Sequence, residues 1–399
     1  MNSAPESADV VVVGGGIGGL ATAYALATSG RSVSVLERAP EFTEVGAGLQ
    51  MAPNATRILK DWGLLDEVLE AGVAPRRLLF KDALDGSELT HLNLDDEFVR
   101  RYGGPYVVIH RSDLLAILAR ACERAGVNLV ADCDVQDVVA AADGATARGR
   151  SGEHRASLAV AADGLHSTLR ARFSDDSPVC SGYVAYRGAF PVAELGSRID
   201  PETFRDVVVY LGPGCHLVQY ALRRGEVFNT VAVFESPAYQ RGEREWGGPE
   251  ELDAAFSGAC PEVRGGLESL WRNRRWPMYD RLPIPKWVDG RLVLTGDAAH
   301  PMLQYLAQGA CQAIEDAHCL AGELKDAAEP DWADALKRYE AERTERTARV
   351  QGTARIWGDI WHVNGVGRLL RNELFRLRDP RDHTYLDWLY GERIIQLVR

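Results

Sequence analysis

The apolar run Val10–Val13 leads into a glycine-rich turn and then an alanine-rich stretch, Ile17–Ser29. This pattern predicts a buried strand, then a buried helix with Gly30 as its C-terminal cap. Ser32–Leu36 is a second apolar run and completes a β-α-β unit ending at Glu37. Met51–Leu69 alternates apolar and polar residues with helical period, and Arg77–Leu94 reads as two strands joined at the hairpin dipeptide Asp85-Gly86. Ser112–Ala125 is another helix, with Ser112 as its N-cap. Between Gly182 and Trp287 the period changes. Short runs at Val184–Phe190, Val207–Leu211, His216–Leu222 and Val227–Phe234, separated by glycine and proline, predict a mostly antiparallel sheet. The strand–loop–helix style returns at Arg291–Leu294, and Gly309–Glu323 and Trp332–Trp361 are helical patterns.

The expected architecture is α/β. A Rossmann-type nucleotide-binding domain is assembled from 1–75, 105–180 and 288–330. Residues 76–104 and 181–287 form an inserted, mostly antiparallel β-sheet substrate domain, and 331–399 a helical C-terminal region. A hydrophobic content of 46% with 26% charged residues is ordinary for a globular chain. The net charge of −12 argues against nucleic acid, which needs a basic footprint, yet permits a local basic pocket. Val10–Ala27 is apolar and long, but its glycines fit strand, turn and helix better than a membrane span, and no stable membrane association is expected. The opening residues lack a positive n-region, so no secretory signal is expected. Seven cysteines, odd in number and without a Cys-x-x-Cys pair, point to reduced thiols in the cytoplasm.

Three glycine–acid patterns close strands. They are Gly14-Gly15-Gly16-Ile17-Gly18-Gly19, Asp163-Gly164 after Leu158–Ala162, and Gly296-Asp297 after Leu292–Leu294. Gly14 permits the tight turn, Gly16 lets backbone approach a pyrophosphate, and Gly19 permits close helix–strand packing. The helix that begins at Ile17 and Gly18 turns its N-terminus to negative charge. Glu37, next to Arg38, stands 18 residues past Gly19, where an acid accepts ribose hydroxyls. An acid there suits FAD or NAD and disfavours a 2′-phosphate. No second Gly-x-Gly-x-x-Gly follows a strand, so no second dinucleotide-binding domain is expected.

The segment Val160–Arg170 resembles the Asp-Gly motif of class A flavoprotein aromatic hydroxylases, and Leu294–Pro301 resembles their Gly-Asp motif. His110-Arg111-Ser112-Asp113-Leu114 matches their arginine segment. The resemblance spans nearly the whole chain and implies the p-hydroxybenzoate hydroxylase-like (PHBH-like) fold with FAD as cofactor. It implies that Asp297 hydrogen-bonds the ribityl chain and that Arg111 contacts the flavin chain and phosphates. Asp163 takes a more structural role near the cofactor. Gly48, Pro301 and Gly309 belong to the loops around FAD, and His300 supports the Gly-Asp motif. The implied chemistry is reduction of FAD by NADH or NADPH, a transient co-substrate without a domain of its own, addition of O2 to give a flavin C4a-hydroperoxide, and attack of an electron-rich ring on the distal oxygen.

The substrate must be read from the inserted sheet. In Gly212–Tyr220 a strand starting at His216 puts His216, Val218 and Tyr220 on one face. A histidine and tyrosine side by side can engage a phenol and a carboxylate; strand position alone equally describes a half-buried strand with a satisfied histidine. The run Pro301–Ala317, the His-x-x-x-Tyr strand and the endings Trp361–Gly365 and Asp387–Gly391 resemble gentisate-forming 3-hydroxybenzoate 6-hydroxylases. That likeness places His216, Tyr220 and Gln304 around the aromatic ring, with Tyr106 close by and His216 as the base. It implies para-hydroxylation of a small aromatic acid, 3-hydroxybenzoate, to gentisate. The alternatives are a decarboxylative salicylate- or 6-hydroxynicotinate-type hydroxylase, a tailoring hydroxylase, an O2-independent flavoprotein reductase, or a flavin binder without turnover. No metal is expected. Trp357, Trp361, Trp388, Leu369, Leu370 and Phe375 either pack onto the flavin domain or form a homodimer face, and a homodimer is expected. Arg368–Arg381 reads as solvated or salt-bridged surface.

Overall fold

The computed structural model describes residues 8–43, 47–141, 143–150, 152–195 and 201–391. Strand Ala8–Val13 lies between Gly152–Ala161 and Val33–Leu36, parallel to both. Leu292–Leu294 and Asn128–Val130 extend this parallel set on either side. These strands are covered on both faces, which is why Val10–Val13 and Leu158–Ala161 are unbroken apolar runs rather than alternating ones. Val13 pairs with Ala161, and Ala161 with Leu294. The three glycine–acid turns therefore leave one edge of the sheet from three adjacent strands. In open parallel sheets the carboxyl ends of the strands are where ligands bind.

Helix Ile17–Thr28 packs closely on helix Gly309–Lys325: a Cβ on Gly18 would sit 3.3 Å from that of Ala313. Two expectations change here. Met51–Leu69 is two helices, Pro53–Asp61 and Leu65–Ala71, because Gly63 at φ +71° turns the chain between them. Helix Arg111–Arg124 starts one residue before Ser112, and its N-cap is His110, whose Nδ1 accepts from the Ser112 N–H at 3.3 Å.

The second sheet runs in the order Trp276–Asp280, Val179–Pro191, Val227–Glu235, Cys215–Leu222, Val207–Gly212, Arg77–Asp82, Glu88–Asn93. Its pairings are antiparallel except where Val207–Gly212 meets Arg77–Asp82. One face carries Leu79, Val184, Tyr186, Val208, Leu217 and Phe234 into a second core. The other face turns toward the first sheet. Helix Trp332–His362 ties the two together. In helix Gly365–Leu377, Arg371 is buried and donates to the Trp361 carbonyl, while Arg368 pairs with Asp82 at 2.6 Å. The arginine-rich stretch is thus only partly surface, because helix-end carbonyls and a buried aspartate accept its guanidinium groups.

Candidate active site

A cavity of about 690 Å³ opens off the carboxyl edge of the first sheet. Gly16, Ile17, Gly18, Arg111, Gly164, Asp297 and Gly309 line one side. On the other side every strand of the seven-stranded sheet contributes. Ala185 and Arg187, His216, Val218 and Tyr220, Leu78 and Phe80, and Thr90 and Leu92 all point in at two-residue spacing. Trp357, Trp361, Phe375, Tyr385 and Trp388 of the C-terminal region wall the same space.

The first side suits a dinucleotide. Gly14 holds φ +107°, and a Cβ there would lie 2.4 Å from the Ala162 carbonyl oxygen. A Cβ on Gly19 would lie 1.9 Å from the Gly14 oxygen. Gly16 differs: its backbone is extended, and a Cβ would meet nothing within 4 Å, so only space for a ligand is at stake. Helices Ile17–Thr28 and Gly309–Lys325 both begin without a side-chain cap or an acid in the first turn. Their first-turn N–H groups and Arg111 face one space, an arrangement that suits an anion.

Other expected cofactor residues also make contacts within the protein. Glu37 Oε2 accepts from the Gly15 N–H at 2.6 Å, and Oε1 from the Ala39 N–H at 2.9 Å, so its carboxylate braces the glycine turn. Arg38 is exposed. Asp163 Oδ2 accepts from the Thr168 and Leu169 N–H groups at 3.1 and 3.4 Å, while its neighbour Gly164 reaches the cavity. The Pro301 carbonyl accepts from Gln351 Nε2 at 3.0 Å and directs Met302, Leu303 and Gln304 inward. His300 is fully buried with Nε2 2.5 Å from Asp316 Oδ2, an oxygen that also accepts from the Gly296 N–H at 2.8 Å. That places His300 behind the Gly-Asp turn, away from the cavity. Arg343 closes this network, donating to Asp316 and Glu315 at 2.7 Å each. Burial alone would raise both acids. Arg343 and Arg346 outweigh it and hold Glu315 down at about 2; His300 and Arg343 hold Asp316 low.

The predicted substrate residues converge. Gly48 donates its N–H to Asn229 Oδ1 at 2.9 Å, and a Cβ there would lie 2.4 Å from the Tyr220 ring, so glycine makes room for that ring. Burial pushes the Tyr220 hydroxyl above its usual range, partly offset by Arg187. Tyr106 donates to Gln50 Oε1 at 2.7 Å. The loop carrying Gln304 ends at Ala307, at φ +53°, a strained conformation for a residue with a Cβ. Gln304 Oε1 accepts from Arg187 Nη2 at 3.3 Å, and Arg187 stands 5.7 Å over the Trp276 ring. His216 is buried with Nδ1 2.8 Å from His362 Nε2. Burial, then the neighbouring His362, drives its pKa well below 6.5 and keeps the ring neutral.

Arg187 and His362 were missed in the sequence. Arg187 had a signal: it is a cation at the parity of Ala185 in an otherwise apolar strand. His362 lay within the Trp361–Gly365 segment, but nothing in the spacing tied it to His216, which it meets across 146 residues.

The chain belongs to the family described as FAD binding domain, matched over residues 7–354. It is an FAD-dependent aromatic monooxygenase, and its fold is that of the class A flavin hydroxylases. The 3-hydroxybenzoate 6-hydroxylase of Polaromonas naphthalenivorans strain CJ2 is 38% identical, covering 98% of each chain. The 3-amino-4-hydroxybenzoate 2-monooxygenase of Streptomyces cremeus is also 38% identical, covering 96% of this chain and 94% of the other. Among solved structures, Klebsiella pneumoniae HpxO complexed with FAD and uric acid superposes with a TM-score of 0.80 at 27% identity, covering 92% of each chain. A salicylate hydroxylase substrate complex, 24% identical and covering 98% of this chain and 97% of the other, shares the fold at a TM-score of 0.79.

Proposed function

We propose that this enzyme hydroxylates 3-hydroxybenzoate para to its hydroxyl group, giving gentisate, with NADH or NADPH as a transient reductant. The observation that carries this is the convergence of His216, Tyr220, Gln304 and Arg187 on one aromatic-walled cavity beside the anion site. FAD, when bound, activates O2 and transfers one oxygen atom to the ring. Gly14, Gly16, Ile17, Gly18, Arg111, Asp297 and Gly309 hold it. In this reading 1–75, 105–180 and 288–330 carry the cofactor, and 76–104 with 181–287 carry the substrate.

His216, held neutral by burial, takes up the phenol proton as the ring attacks, which makes the ring a better nucleophile. Arg187 faces the carboxylate, whose charge would otherwise be desolvated without a partner. Gln304 and Tyr220 orient the ring, where misplacement by about 1 Å costs on the order of a hundredfold. The aromatic wall keeps water out. The relatives' names support the substrate class.

The test is nicotinamide oxidation, O2 uptake and product analysis across 3-hydroxybenzoate, 3-amino-4-hydroxybenzoate, salicylate and 6-hydroxynicotinate. Gentisate formed from 3-hydroxybenzoate, with one O2 per nicotinamide, is expected. Release of H2O2 alone from that acid, or no stimulation at all, sinks the assignment.

A second copy of the chain is proposed to cover Val366, Leu369, Leu370, Leu374 and Leu377, which lie exposed on helix Gly365–Leu377. Light scattering should give a dimer, and Leu370→Glu with Leu374→Glu a monomer; a monomeric parent refutes this. Cytoplasmic residence is proposed from the unpaired cysteines. Among the described residues no helix is long and apolar enough to cross a membrane.

A further inference from the structure

His216 does not stand alone. Its ring lies edge to edge with that of His362, centroids 5.0 Å apart and planes 22° apart, and His362 is stacked in turn on Tyr183 at 4.5 Å and 18°. The His362 carbonyl accepts from the Gly214 N–H at 3.0 Å, which fixes the start of the strand that carries His216 to the end of helix Trp332–His362. Tyr305, from the loop beside Gln304, packs edge-on against the same imidazole at 5.5 Å. Three separated segments therefore meet at His362.

The 2.8 Å contact between His216 Nδ1 and His362 Nε2 has one chemical consequence. Neutral imidazole carries a proton on one nitrogen and a lone pair on the other. Both rings are neutral: burial, then Arg371, holds the His362 pKa down at about 3, and His216 is likewise depressed. One proton thus lies between the facing nitrogens. If His362 Nε2 accepts it from His216 Nδ1, then His216 Nε2 offers its lone pair to the cavity. If His362 donates, His216 Nε2 carries a proton and cannot act as a base. The choice of tautomer rests with His362. With Nε2 accepting, Nδ1 carries the ring's own proton, and among the described residues it meets no hydrogen-bond partner, so the tautomer follows from the base role of His216 and not from a further side chain.

We infer that His362 is a positioning residue whose Nε2 accepts the Nδ1 proton of His216, so that His216 Nε2 faces the substrate as a proton acceptor. This rests on the reading of His216 as the phenol base. When the phenol O–H bond breaks, its electron pair stays on oxygen and the proton goes to His216 Nε2. The resulting imidazolium is held in place by its Nδ1–H bond to His362, one ring farther from the substrate.

The test uses the FAD-loaded enzyme with 3-hydroxybenzoate as probe and compares His216→Ala, His362→Phe and His362→Gln. Phenylalanine keeps a ring for the Tyr183 stack but has no nitrogen; the glutamine amide oxygen can accept from Nδ1–H. A positioned acid–base group contributes about 10²–10⁴-fold, so His362→Phe should lower coupled hydroxylation by about ten- to a hundredfold. Its FAD content and thermal midpoint should stay near the parent's. His362→Gln should recover the rate of coupled hydroxylation to within a few-fold of the parent. Where the phenylalanine ring does not pack, His362→Leu gives the same nitrogen-free comparison.

The inference is overturned if the nitrogen-free variant matches the parent while His216→Ala is inactive, or if glutamine does no better than phenylalanine. Retained coupled hydroxylation in His216→Ala is a separate result, and it removes the base role itself.

Discussion

Gly16 and Gly19 belong to one fingerprint yet should fail in opposite ways. Gly16 sits at φ −73° and ψ −178°, open to any residue, and an added Cβ meets no atom within 4 Å. Gly16→Ala should therefore leave the apoprotein as stable as the parent, or about 0.4–1 kcal/mol more stable through lost unfolded-state freedom. The new methyl group instead occupies the space through which a pyrophosphate approaches the helix N-terminus. Loss of one charge-assisted hydrogen bond there is worth about 1.5–3 kcal/mol, so the FAD Kd should rise by about ten- to a hundredfold. Gly19→Ala drives a Cβ to 1.9 Å from the Gly14 oxygen, a backbone atom that cannot swing aside. Such overpacking costs about 1–3 kcal/mol and should lower the apoprotein's stability directly. Urea unfolding of the apoproteins and titration with FAD by flavin fluorescence separate the two. The reasoning is refuted if Gly16→Ala destabilises the apoprotein as much as Gly19→Ala, or binds FAD with parental affinity.

Arg343→Met should cost about 3–5 kcal/mol by urea unfolding, since it leaves Glu315 and Asp316 buried with reduced compensation; a loss under 1 kcal/mol counts against the network's role. Because Glu315 is depressed on folding, its contribution is present above its ordinary value near 4.5 and fades as pH falls toward about 2. Stability measured between pH 7 and 3 should then fall less steeply in Arg343→Met than in the parent, because the folded acids are no longer held so far below their unfolded values; superimposable pH profiles would contradict this. Arg187→Met should raise KM for 3-hydroxybenzoate by about ten- to a hundredfold while leaving turnover of the uncharged 3-hydroxybenzyl alcohol nearly unchanged. Equal losses on both compounds would deny Arg187 the carboxylate.

The parallel sheet was legible because fully covered strands are continuous apolar runs and each ended in an unmistakable turn. The parity of His216 and Tyr220 was legible because a strand's side-chain period is two. What stayed hidden depended on distance along the chain. Glu37 could be placed at its strand end, but not its bond to the Gly15 N–H. Trp357, Trp361 and Trp388 could be seen as apolar, but not as cavity wall, since which face a C-terminal helix presents is decided by the sheet it meets. The Arg368–Arg381 stretch misled because a guanidinium satisfied by carbonyls is indistinguishable in sequence from a solvated one. Gly63 was present in the sequence as a break and was overridden by the helical period around it.

The alternation along the seven-stranded sheet has a further consequence for how this enzyme could change. Val209, Val218 and Ala185 line the cavity, while their chain neighbours Val208, Leu217 and Val184 meet the second core. Ligand preference and folding are thereby written on opposite sides of one plate, in residues interleaved one by one. A saturation scan along these strands should oscillate with a period of two, selectivity moving at one parity and abundance at the other. Such a plate can be re-engraved on one side for a new aromatic acid while the other side goes on holding the sheet in place.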